Sequence, residues 1–103
     1  MTRINKVIRD KIPEIIRSSG RECILKSLDD ETFLPELEKK LQEEIDEYID
    51  SQEVEELIDI LEVVYRIAQL RGYSKAELER IRMQKQANNG AFVKNLYLFE
   101  TSG

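Results

Sequence analysis

The sequence has no histidine and a single cysteine, Cys23, in 103 residues. An intrachain disulfide is therefore impossible, and zinc sites built from imidazole and thiolate are excluded. Cys23 itself reads as a small, half-buried residue. No stretch approaches the roughly 18 apolar residues that a bilayer-spanning helix needs. The polar start MTRINKVIRD also lacks the apolar segment of a secretory signal. A soluble, cytoplasmic protein without a membrane partner is the expectation. The few glycines form no phosphate-cradling loop, which excludes P-loop chemistry. No basic helix face and no pattern of stacked aromatics appears, which argues against a nucleic-acid partner.

What the chain does have is negative charge in one place. Its formal charge is -5, yet from Glu36 to Glu62 there are twelve acids against two lysines, and elsewhere nine acids against fourteen bases. An acidic centre lies between basic flanks. That division suits a phosphate-bearing small ligand, met by basic residues directly and by acids through bridging cations.

The length bounds the fold to one domain over residues 1–103. Asp10 predicts a cap for a short helix through Ser18, with Pro13 in its first turn and Gly20 past its end. Residues 22–28, ECILKSL, and the tail around 92–99 are rich in strand formers and predict a small two-stranded β-ribbon. Pro35 places the start of a long helix nearby, ending near Ile49. Asp50 with Glu53 matches a capping box, so a second long helix follows almost at once and must run antiparallel to the first. It extends to about Arg71, before Gly72. Ser74 and Glu77 form another capping-box pattern opening a helix that ends at Asn89 and Gly90. The expected architecture is all-α, an antiparallel bundle of about four helices with the ribbon beside it.

Within the first long helix, Leu34, Leu37, Leu41, Ile45 and Tyr48 form one apolar stripe. At 100° per residue, Glu44 lies about 60° from the centre of that stripe and Glu47 about 120°, on the same side. The second long helix carries two stripes. Val54, Leu57, Leu61, Tyr65 and Ala68 are the expected core face, and Ile60, Val63 and Ile67 form a second covered side toward which Glu56 and Asp59 point. Four carboxylates converging between two helices repel one another unless a cation sits among them. Oxygen-only donors select Mg²⁺ or Mn²⁺ over zinc. The competing reading is a solvated acidic face, the ordinary meaning of a charge run and the expected role of Asp46, Asp50, Glu53, Glu55 and Glu62.

The pattern Glu43-Glu44-x-x-Glu47 followed by Glu56-x-x-Asp59 resembles the paired acidic motifs of the all-α nucleoside triphosphate pyrophosphohydrolases, the MazG and phosphoribosyl-ATP pyrophosphohydrolase superfamily. The opening NKVIRDKIPEII and the closing NNGAFVKNLYLF resemble its branch of small predicted house-cleaning enzymes for non-canonical nucleotides. Ala91 departs from that branch, which has a second glycine there. The resemblance implies Mg²⁺-dependent hydrolysis of a nucleoside triphosphate to monophosphate and pyrophosphate. It implies Glu44, Glu47, Glu56 and Asp59 as metal ligands, with Glu43, Glu44 and Glu47 as candidates for handling the attacking water. It also implies a homodimer or higher homo-oligomer. Lys6, Arg9, Lys11, Lys85 and Lys94 are the candidates for phosphate contacts, and Phe92 for stacking on the base. Two rival expectations stand beside this one: a non-catalytic helical dimer using the acids as a cation-binding or docking face, and a phosphoribosyl-ATP pyrophosphohydrolase of histidine synthesis.

Overall fold

A computed structural model describes residues 2–103. Four helices follow in order: α1 (Ile12–Ser18), α2 (Asp30–Ser51), α3 (Val54–Leu70) and α4 (Lys75–Asn89). Helix α2 begins five residues before Pro35, because Asp29 takes an extended backbone and its side chain accepts the Thr32 N–H at 2.8 Å. That hydrogen bond holds the Asp29 carboxyl below its ordinary value. Pro35 therefore sits inside the helix, where it removes one backbone bond without ending it.

The connection between α2 and α3 differs from the expected capping box. Asp50 is still helical and cannot supply the extended backbone that a cap needs. The turn is made instead by Gln52 in the left-handed region, φ 60°, whose N–H returns to the Tyr48 carbonyl at 2.8 Å. Glu53 then precedes α3 with no side-chain cap. The connection is only residues 52–53, so the two helices fold back on each other as a hairpin. The box at α4 is as the sequence predicts: Ser74 Oγ accepts the Glu77 N–H, and Glu77 Oε1 accepts the Ser74 N–H, both at 3.1 Å. The first helix is capped at Lys11 rather than Asp10, and Lys11 gives no side-chain bond.

Among the described residues there is no strand, so the ribbon of 22–28 with 92–99 is not formed. No backbone hydrogen bond joins the two segments. An isolated pair of strands is marginal in water, and the helical hairpin offers no sheet edge to support one. In the tail, Phe92 is 98% exposed and Phe99 85%, which leaves strand propensity with nothing to pack against.

Helix α2 packs along α3, and α3 packs more briefly on α4, while α1 packs on neither. Among the described residues, the buried apolar ones are Leu37 on α2 and Val63 on α3. This reverses the two faces expected for α3: the side bearing Ile60, Val63 and Ile67 is the better covered, while Val54, Leu57 and Leu61 stand exposed. Glu56 and Asp59 share the covered side and are carried toward α2 with it.

Candidate metal centre

Seven residues after Leu37, on the same face of α2, comes Glu44, 3% exposed and the buried charged residue among those described. Across the hairpin, Glu56 and Asp59 occupy adjacent turns of α3. One carboxylate oxygen from each of Glu44, Glu56 and Asp59 lies within 4.8 Å of the others, close enough for one ion to reach all three. These three of the four expected ligands are brought together. Glu47 stands at the rim, exposed, one turn beyond Glu44 and in hydrogen-bond contact with Glu56.

Two cations of the chain touch the outside of this cluster. Lys40 Nζ is 2.9 Å from Glu44 Oε1, one helical turn away, with the two side chains 20% and 4% exposed. Arg9 Nη2 donates to Asp59 Oδ1 at 2.6 Å, across fifty positions of sequence. Glu44 Oε2 is buried and has no hydrogen-bond partner. A carboxylate oxygen in that position forfeits the water it would otherwise hold, at a cost of about 1–3 kcal/mol or more for a charged group. Glu44 is thus satisfied on one oxygen and orphaned on the other.

The pKa directions describe the same imbalance. The Glu56 carboxyl is pushed above its ordinary 4.5, first by loss of solvent, then by hydrogen bonding to Glu47, then by the negative charges of Glu47, Glu44 and Asp59. Burial alone would lower the Lys40 ammonium, but the hydrogen bond to Glu44 and the charges of Glu44, Glu43 and Glu47 outweigh it and raise it. Negative potential therefore persists inside the cluster even with Lys40 beside it. Oxygen donors alone, with an unpartnered buried oxygen and surplus negative charge, fit a hard divalent cation such as Mg²⁺.

The other expected site residues lie apart. Glu43 is exposed on α2 and reaches the cluster only through its charge on Lys40. Among the described residues no hydrogen bond or ion pair links Lys6, Lys11, Lys85 or Lys94 to these acids, and Phe92 is in open solvent. Arg9 does come to the site, but it meets an acid rather than standing free. Sequence reasoning missed Lys40, although its place four residues before Glu44 was a usable signal. A shallow depression of about 220 Å³ between α3 and the start of α4 is lined by Glu62, Tyr65, Arg66, Gln69 and Lys75 and contains none of the clustered acids.

No family model and no solved structure matches the chain. The chain is similar to an uncharacterized protein of Mycolicibacterium smegmatis, with 43% identity over 42 residues covering 41% of this chain and 43% of that protein. The match thus spans less than half the length of this relative.

Proposed function

We propose that the protein is a Mg²⁺-dependent nucleoside triphosphate pyrophosphohydrolase that releases a nucleoside monophosphate and pyrophosphate, acting on non-canonical nucleotides. The observation that carries this reading is the buried, unpartnered Glu44 Oε2 within a cluster completed by Glu56 and Asp59. The order of the acidic motifs and the flanking KVIRDKIP stretch support the reaction class by resemblance.

Glu44, Glu56 and Asp59 would hold the ion, with Glu47 at its open side. Mn²⁺ suits the same donors. Mg²⁺ bound there supplies charge to phosphoryl oxygens and acidifies a water. The chain's own residues do the rest. Lys40 fixes the Glu44 carboxylate from behind, so that Oε2 is the free donor. Glu47, exposed one turn beyond Glu44 and in hydrogen-bond contact with Glu56, would be placed to take a proton at the solvent-facing edge.

We also propose that the active form is a homodimer. The chain exposes 9437 Å², where a compact 12.1 kDa chain exposes about 6,000 Å². Its radius of gyration is 18.2 Å against about 13 Å for a compact domain of this length. Covering part of this excess would be enough for an obligate interface. Ile58 and Leu61, 52% and 44% exposed on the outer side of α3, supply apolar surface for it.

The test is pyrophosphate release from a panel of canonical and modified nucleoside triphosphates with Mg²⁺, using the wild type, Glu44→Gln and Asp59→Asn. Release by the wild type and loss in both variants supports the reading. Phosphoribosyl-ATP belongs in the panel, and its preference over every nucleoside triphosphate would move the assignment to histidine synthesis. No release from any of them, with Mg²⁺ binding absent, would leave a non-catalytic helical protein.

A further inference from the structure

The two cations beside the acid cluster are held in different ways. Lys40 is borne on α2 itself, four residues from its partner, and its ammonium is mostly buried. It is a fixture of the helix. Arg9 belongs to the irregular segment before α1, its side chain is 54% exposed, and α1 packs on no other helix. Among the described residues, the Arg9–Asp59 ion pair is the one that joins this N-terminal arm to the hairpin. A long, half-solvated side chain that makes a single surface ion pair leaves its partner at little cost.

Asp59 is also one of the three acids whose oxygens converge within 4.8 Å. An ion seated among them would lie only a few ångströms from a guanidinium that is 2.6 Å from Asp59 Oδ1. Two positive charges at that separation repel, and one of them is tethered loosely. We propose that Arg9 is an exchangeable counter-cation: it occupies Asp59 in the metal-free protein, and divalent metal binding displaces it and frees the N-terminal arm. The proposal rests on the metal reading of the cluster given above. It assigns Arg9 a role opposite to that of a residue supporting a metal ligand, whose removal weakens metal binding. The sign of the effect separates the two.

The experiment is titration of the full-length protein with Mn²⁺ alone, without nucleotide, followed by electron paramagnetic resonance of the free ion. The wild type, Arg9→Gln and Arg9→Lys are compared. Displacement predicts that Arg9→Gln binds Mn²⁺ about two- to fivefold more tightly, the scale of a half-exposed ion pair, and that Arg9→Lys returns toward the wild-type value. The same advantage shrinks at high salt, where the competing pair is screened. In the wild type, the Arg9 side-chain resonances, read by NMR with diamagnetic Mg²⁺, move from restricted to freely rotating on saturation. Equal or weaker Mn²⁺ binding by Arg9→Gln, or Arg9 resonances unchanged by Mg²⁺, overturns the proposal while leaving the metal site intact. Failure of the wild type to bind Mn²⁺ at all removes the metal reading and this inference with it.

Discussion

Lys40 and Glu44 form the most deeply buried ion pair of the hairpin, 2.9 Å between Nζ and Oε1, and Glu44 keeps its second oxygen without a partner. The pair is therefore half of an arrangement, sufficient to make the carboxylate tolerable and insufficient to satisfy it. Removing Lys40 leaves both oxygens of a buried charge uncompensated. Lys40→Met is expected to destabilise the metal-free protein by about 2–3 kcal/mol, below the ~3–5 of a fully buried pair because Lys40 is partly exposed. Urea unfolding in EDTA measures it, and adding Mg²⁺ should recover most of the loss.

Glu44→Gln acts in the other direction. The amide keeps the volume, removes the repulsion with Glu56 and Asp59, and can donate where the carboxylate could only accept. The metal-free variant should match or exceed the wild type in thermal midpoint. Saturating Mg²⁺ should raise the wild type, by about 2.7 kcal/mol at a hundredfold excess over its dissociation constant, and should leave the variant unmoved. A Mg²⁺ response of equal size in both would separate Glu44 from the ion.

Glu56 sets a pH dependence whose sign follows from its raised carboxyl. Its folded value lies above the ordinary 4.5, so the folded state binds the proton more tightly than the unfolded chain. The stabilisation is fully present below 4.5 and is lost as pH rises through the higher folded value. Metal-free protein should thus become less stable across that interval. Glu56→Gln should remove the slope and be more stable than the wild type at neutral pH. In Mg²⁺ the order inverts, because the ionised Glu56 then has a cation to face. Denaturation midpoints taken from pH 7 down to about 4, with EDTA or Mg²⁺, test both halves.

Much of the hairpin was legible because period and spacing are local properties. The stripe through Leu37 gave the face of α2, and the three-residue separation of Glu56 and Asp59 gave them a common side of α3. What the sequence could not rank was the two apolar stripes of α3, since Val54, Leu57 and Leu61 are as hydrophobic as Ile60, Val63 and Ile67. Partner surfaces decide that, and a periodic pattern does not contain them. The ribbon failed for the same reason in reverse: residues 22–28 and 92–99 have strand-forming side chains, but local preference builds a sheet only where long-range pairing is supported. The Lys40–Glu44 contact is local, since a lysine four residues before a glutamate on a helix lies one turn from it. Arg9 reads from the sequence as a phosphate contact, and nothing in its neighbours along the chain announces a partner fifty positions away.

Leu37 on α2 is 4% exposed, and with Val63 it makes up the buried apolar set of the described residues. Leu37→Ala should cost about 2–5 kcal/mol, and in a protein whose buried apolar set is this small that loss is expected to abolish cooperative unfolding. Circular dichroism during thermal unfolding shows the outcome. Ser74→Ala, which breaks the box at the start of α4, should cost only about 1 kcal/mol and leave Mg²⁺ binding untouched, since α4 contributes nothing to the acid cluster.

A second copy is the natural cover for the outer face of α3. Val54, Leu57, Ile58 and Leu61 are between 40% and 65% exposed, and a hydrophobic row of that length on a monomer invites association. Sedimentation equilibrium should return twice the chain mass, and the thermal midpoint should rise with protein concentration, because unfolding then includes dissociation. Placing a charge in the row by Leu61→Glu should shift the protein toward monomer and lower its helix content, for a carboxylate buried without a partner opposes both packing and assembly. Leu61 is not among the clustered acids or the cations that touch them, so Mn²⁺ affinity per folded chain should change much less than the association constant. A wild type that sediments as a single chain, with a midpoint independent of concentration, would refute the dimer and leave the exposed row unexplained.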